Sequence, residues 1–185
     1  GCTGWDFSFE GFKAVGDWQA ALGVNLRCPH LSWYTMEGEG KRDFPPSISY
    51  QSPWWKNYSL VEDYFSRINA VMSRGSAVRN LLVIHPNESI WQFIKTGWTG
   101  NEQSYEREGR FEIEKQFTDL CNWLLKSHID FDYGDEDIIS RLGDVDDNKN
   151  KPKLRVGKAT YDVMLIPDLL TIRSSTLELA ERFIE

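Results

Sequence analysis

The sequence predicts an α/β protein in two parts, the end of a barrel followed by part of a doubly wound parallel sheet. Three observations carry this. Short apolar runs such as "LLVIHP" alternate with helical patterns of apolar residues every third or fourth position. A proline-broken loop rich in large aromatics, Leu31 to Tyr58, interrupts the first part. The character of the chain changes near Gly75 to Val78, which sets a boundary between residues 1–76 and 77–185.

The elements follow in order. Ser8 is a helix N-cap ahead of Phe9, Phe12, Val15, Trp18 and Leu22, with Glu10 and Asp17 on the polar side. Gly23 is placed to end that helix. "VNLRC", Val24 to Cys28, reads as a short strand that Pro29 stops. The long loop carries Trp33, Tyr34, Phe44, Tyr50, Trp54 and Trp55, too many aromatics for a disordered segment. A helix from Ser59 to Ser73 has Leu60, Tyr64, Phe65, Ile68, Val71 and Met72 as its apolar stripe. In the second part, "RNLLVIHP" has the unbroken apolar run of a strand buried on both faces. "ESIWQFI" reads as a short helix, and Arg110 to Ser127 as a long one, with Ile113, Phe117, Leu120, Cys121 and Leu124 on one face. "IDFDYG" is a second strand, and "DEDIISRLG" a short helix capped by Asp135. "DVDDNKNKPK" is a charged turn, "KLRVG" a hairpin arm, "YDVMLIPD" a strand, and "SSTLELAERFIE" the start of a helix capped by Ser174 or Ser175. Strands alternating with helices predict crossover connections and parallel pairing.

Composition narrows the partners. With 185 residues a sizeable core is available. A net charge of −7 and pI near 5.1 argue against nucleic acid, whose phosphates need a basic footprint. No run of about 18 apolar residues exists to span a membrane, and no signal peptide is visible. Localisation stays open, with cytoplasm favoured over periplasm. The three cysteines, Cys2, Cys28 and Cys121, lie far apart, so neither a metal-ligand spacing nor a disulfide framework is present. The chain opens "GCTGWDF" without Met and closes inside an amphipathic pattern, so both ends read as cut from a longer protein.

The first part also carries a dense set of motifs. These are Gly4-Trp5, Gly23-Val24-Asn25, His30, Tyr34, Arg42-Asp43, Pro45-Pro46-Ser47, Gln51, Pro53-Trp54-Trp55 and Tyr58. In this order they resemble the last barrel units of bacterial TIM-barrel glycoside hydrolases of the alpha-L-rhamnosidase-like and beta-galactosidase-like group. The match runs from Gly4 to Gly75. The second part is similar to the flavodoxin-like, glutamine-amidotransferase-like domain that follows the barrel in many of those enzymes and usually has no catalysis of its own. The resemblance implies an α/β chain made of the end of a (β/α)8 barrel and a partial flavodoxin-like sheet. It implies hydrolysis of O-glycosidic bonds of plant or host glycans by the parent protein. It implies no cofactor and no metal, and a carbohydrate as the partner. It also admits a homo-oligomer through the second part, since such domains mediate trimer contacts in some beta-galactosidases.

Glycoside hydrolysis needs two carboxyl groups flanking the bond. In the resembling enzymes the later one lies just upstream of the "GW" turn, so neither is assigned in this chain, which alone should be inactive. What remains is a set of sugar-contact candidates, His30, Trp33, Tyr34, Trp5 and Trp55, at and after the C-terminal end of a barrel strand. His30 is equally readable as a histidine bonded to neighbouring backbone. Trp54 and Trp55 also read as residues that pin the loop, with one of them an outer wall of the pocket. Arg42 and Asp43 pair with each other or with loop backbone in the simplest reading, and Glu37, Glu39, Glu62 and Asp63 are solvated.

Other chemistry finds little support. Cys121 lies mid-helix on an apolar face, where a free thiol is core, not on the strand-to-helix turn an amidotransferase nucleophile needs. "LLVIHPNESIW" lacks a glycine-rich phosphate turn, leaving only Asn87 and Ser89 to face a phosphate. Asp144, Asp146 and Asp147 lack the glycine and closing glutamate of a calcium loop. Two other classes remain beside the hydrolase: a non-catalytic α/β carbohydrate-binding or interaction module, and a flavodoxin-like redox domain, which bound flavin absorbance would reveal.

Overall fold

The computed structural model describes residues 6–32, 34–35, 37–38, 48–94, 107–146 and 151–184. The chain is mixed α/β and divides into two units, Gly1–Ser76 and Ala77–Glu185.

The first unit is built on two helices. Helix α1 spans Phe9–Ala21 and is capped as its sequence predicts, with Ser8 Oγ accepting from Gly11 N at 3.2 Å. At its other end Gly23 takes φ +97°. Gly23 N donates to Ala20 O and Val24 N to Gln19 O, the two bonds of a Schellman stop. A one-turn 3-10 helix, Trp55–Asn57, leads into α2, Ser59–Met72. The helices meet where Gly16 leaves room for the Phe65 ring, because three Phe65 ring carbons would lie within 3.0 Å of any Cβ added there. Phe12, Tyr58, Val61 and Phe65 form the core, with Phe7, Phe9, Ile48, Tyr64 and Ile68 packed on it. The Tyr64 hydroxyl donates to Asp17 at 2.8 Å and ties the polar edges together.

Only part of each predicted apolar stripe is used. In α1 Phe12 and Gly16 are buried, whereas Val15, Trp18 and Leu22 are exposed. In α2 Val61 and Phe65 are buried, whereas Leu60, Val71 and Met72 are exposed. The strand expected over Val24 to Cys28 does not form: the segment is irregular and has no ladder partner among the described residues. Apolar-polar alternation makes a chain competent for a sheet, but a strand exists only when a second strand takes up its amides and carbonyls.

The second unit is organised by β1, Leu81–Ile84, whose four residues are all buried. Among the described residues it is the central strand of a three-stranded parallel sheet of order β2-β1-β6, with β2 over Phe131–Gly134 and β6 over Val163–Leu165. Leu81 pairs with Phe131 on one side and Val163 on the other. Helix α3 is Asn87–Trp91, α4 is Arg107–Lys126, α5 is Glu136–Leu142 and α6 is Ser174–Ile184. Alternation along β1 sends Leu81 and Val83 to the α4 side, against Leu124, Phe117 and Leu120. It sends Leu82 and Ile84 to the opposite face, against Ile139, Val145, Leu154, Tyr161 and Leu179. Burying each such side chain contributes about 1.5–3 kcal/mol, and this strand contributes to the clusters on both faces of the sheet.

Two segments depart from expectation. The first residues of the charged stretch form β3, Gly143–Asp146, in an antiparallel sheet with β4, Lys153–Val156, and β5, Ala159–Tyr161. Val145 points into the core while Asp144 pairs across the strands with Arg155 at 2.9 Å, so the acidic residues lie on the open face. "YDVMLIPD" is not one strand: it breaks at Asp162, between β5 and β6, where the carboxylate pairs with Lys151 and Lys153.

Candidate functional site

The segment from Asn25 to Ser32 leaves the stop of α1 without regular structure, and among the described residues it makes no backbone–backbone hydrogen bond. What ties it down is Arg27, whose side chain is 12% exposed. Its Nη2 donates to Tyr58 Oη and to Glu62 Oε1, both at 3.1 Å. Its guanidinium carbon lies 4.1 Å from the centre of the Phe65 ring and 5.9 Å from that of Phe12. Tyr58 is itself buried, edge-on to Phe12 at 5.4 Å, and burial pushes its phenol up to about 12. Arg27 is the residue that sequence reasoning misses. One arginine in a short extended run reads as solvated, and only the three-dimensional meeting of Phe12, Phe65, Tyr58 and Glu62 reveals its role.

His30 follows, exposed, with its ring Nδ1 3.1 Å from Leu31 O. That is the backbone-bonded arrangement the sequence left open, in which Nδ1 carries the proton shared with Leu31 O and Nε2 is an acceptor. Tyr34 is 97% exposed, while its backbone carbonyl is fixed by a 3.0 Å bond from Tyr50 Oη. Trp55 begins the 3-10 turn and is 43% exposed, whereas Trp54 is half-buried. The turn is held by Ser52 N to Ser49 O at 2.8 Å and Trp55 N to Ser52 O at 3.1 Å, with Ser52 fully buried. Trp5, Trp33, Arg42 and Asp43 lie outside the described residues. The structure therefore joins Tyr34 to Tyr50, and Arg27 to Tyr58 and Glu62. It makes no direct bond between His30, Tyr34 and Trp55 among the described residues.

In the second unit the carboxyl end of the sheet, where α/β proteins often bind ligands, is closed by its own chain. Ser89 Oγ accepts from Leu170 N at 3.0 Å and Thr171 N at 3.2 Å, and Asn87 Nδ2 donates to Asp135 at 2.9 Å. Arg173 N donates to the buried Glu136 carboxylate at 2.8 Å, and its guanidinium pairs with Glu88 and Asp137. The donors that could have faced a phosphate are thus consumed internally. Cys121 is buried in α4, and its sulfur accepts from Tyr133 Oη at 3.3 Å, as befits a core thiol. His85 follows β1 with its ring edge-on to Phe117 at 4.9 Å and Tyr133 at 5.6 Å.

A groove of about 450 Å³ opens at the opposite, amino end of β1, lined by Arg79, Asn80, Asp132, Lys158, Ala159 and Thr160. Arg79 is committed there to Asp130 and Asp132, and Tyr161 Oη donates to Asp132 at 3.0 Å. The arginine and these aspartates are thus paired with one another, while Lys158 has no ion-pair partner among the described residues. Among the described residues no cluster of three or more His, Cys, Asp or Glu could hold a metal ion, and no helix is long and apolar enough to cross a membrane. Comparison with protein-family models, with curated proteins and with solved structures finds no match to this chain.

Proposed function

We propose that the chain is part of a glycoside hydrolase acting on O-glycosidic bonds of plant or host glycans, with the His30 to Tyr58 region supplying glycan contacts and the catalytic carboxylates lying elsewhere. One observation carries this reading: Tyr34 is almost wholly exposed while its backbone carbonyl accepts a hydrogen bond from Tyr50 Oη. An aromatic ring left in water buries no core area, and its flat apolar face with a hydroxyl at the rim suits a sugar ring. The exposed rings of Tyr50 and Trp55 and the exposed His30 add stacking surface and a polar group within the same stretch of chain. The order of motifs from Gly4-Trp5 to Trp54-Trp55 supports the same class.

The exposed apolar residues of α1 and α2, including Val15, Trp18, Leu60 and Val71, are consistent with helices of a barrel's outer ring. For the second unit, a central first strand with the next parallel strand on one side and the last on the other supports a flavodoxin-like sheet. A non-catalytic carbohydrate-binding or interaction module is the second reading, favoured by Trp91 and Trp123, which stand exposed on the second unit.

The test is hydrolysis of a panel of aryl glycosides by the full-length protein containing this sequence, alongside glycan titration of the chain itself. Cleavage of at least one glycoside is expected. Glycan binding without any cleavage favours the module, and neither binding nor cleavage defeats both readings.

A further inference from the structure

We propose that Arg27 is a positioning residue that fixes the segment carrying His30 onto the α1–α2 pair, so that the glycan-facing surface is ordered before ligand arrives. The functional half of this inference rests on the glycan reading above; the anchoring half does not. Residues 25–32 have no backbone hydrogen bonds to the rest of the unit among the described residues, so order there must come from side chains. Between Val24 and Ser32 only Arg27 and Pro29 are partly buried, and their neighbours Leu26 and Leu31 point into solvent. Arg27 therefore enters the core while the residues around it stay outside.

The chemistry requires arginine. The guanidinium lies over Phe65 with its carbon 4.1 Å from the ring centre, and the two N–H groups of Nη2 reach Tyr58 and Glu62. A planar cation can stack and donate in its own plane at once, whereas the compact ammonium of lysine cannot cover the ring and reach both oxygens. Three of the four partners belong to α2 or to its first flanking residue, and the fourth, Phe12, to α1. The segment is thus registered against both helices by the Arg27 side chain, three residues before His30. Fixing a loop in its bound conformation removes an ordering cost that ligand binding would otherwise carry.

The experiment compares Arg27→Met, Arg27→Lys and Glu62→Ala with the unaltered chain. Backbone ¹⁵N order parameters are measured over residues 25–28, 30 and 31, and glycan affinity is measured by titration. In the unaltered chain the segment should approach the rigid value of about 0.85, and in Arg27→Met it should fall below about 0.6, while α1, α2 and the second unit keep theirs. Arg27→Lys should fail to restore order, which a role in bulk charge alone would not explain. Glu62→Ala, which alters a half-exposed side chain and should fold normally, should give an intermediate loss. Glycan affinity should drop at least tenfold in Arg27→Met. Unchanged order parameters in Arg27→Met and Glu62→Ala overturn the anchor. Equal glycan affinity in a loosened Arg27→Met overturns its positioning role. If the unaltered chain binds no glycan, the glycan reading and the positioning role built on it fall together, and the order parameters alone then decide the anchor.

Discussion

Gly16→Ala sets two opposing effects against each other within one turn of helix. Alanine is the better helix former by about 1 kcal/mol, so in an unpacked helix the change should stabilise. In α1, however, a Cβ at this position would overlap the Phe65 ring, with three ring carbons within 3.0 Å. Phe65 is 3% exposed and is also the stacking partner of Arg27, so the ring cannot swing aside without losing that contact. Overpacking of a filled core costs roughly 1–3 kcal/mol, and severe overlap belongs at the upper end. The overlap should win, with a net loss of about 1–2 kcal/mol. For a unit of this size that is a fall of about 4–8 °C in Tm per kcal/mol. Urea unfolding followed by amide resonances of α1 and α2 separates this unit from the second. In the double variant with Phe65→Leu, the alanine should cost less by about 1 kcal/mol or more, because the shorter side chain vacates the overlap. A Gly16→Ala chain that is more stable than the original, with no coupling to Phe65, means that α1 and α2 do not meet at this position.

Three further outcomes follow from individual residues. His128 closes α4 as the left-handed residue of a second Schellman stop, with φ +57° and bonds from His128 N to Leu125 O and Ile129 N to Leu124 O, so His128→Gly should stabilise by about 1 kcal/mol in thermal unfolding. Asp135 caps α5 through Asp137 N and Ile138 N, both at 3.0 Å, and the bond from Ile138 N, then those from Asn87 and Asp137 N, hold its carboxyl below the ordinary 3.8. Its contribution is present above that value and lost as pH falls through the lower folded value. Asp135→Ala should therefore cost about 1 kcal/mol near neutral pH, with the difference from the original chain shrinking in acid denaturation profiles. Burial pushes Tyr58, Tyr133 and Tyr161 up to about 12. These three should ionise late in a phenolate absorbance titration, with stability intact below pH 10 and lost as pH rises toward 12.

Local chemistry made much of this fold readable. Ser8, Gly23 and Asp135 each end or start a helix through bonds that involve only neighbours in sequence, and each acts where its residue type predicts. The unbroken run Leu81 to Ile84 likewise required burial on both faces, and the fold supplies it. Features that depend on distant partners were not readable. Val24 to Cys28 has strand-like residues but no pairing strand among the described residues, and β3 was hidden under acidic residues because its partner Arg155 lies in another strand. At the break, Asp162 N and Val163 N both donate to Asn80 O, a distant partner that a run of apolar residues does not announce. The candidate site divides the same way. The aromatics Tyr34 and Trp55 stand out by type alone, whereas Arg27 gains meaning only from the rings and oxygens that surround it.

The most direct test of a glycan-contacting surface is a fluorescence titration of the chain with a panel of oligosaccharides, run beside Tyr34→Ala. Tyr34 is almost wholly exposed, so its removal should leave stability within about 0.5 kcal/mol and make any loss of binding attributable to contact. Saturable binding of at least one glycan is expected, weakened about fivefold in Tyr34→Ala, equivalent to roughly 1 kcal/mol of stacking. Binding that is indifferent to Tyr34, or no saturable binding across the panel, contradicts it.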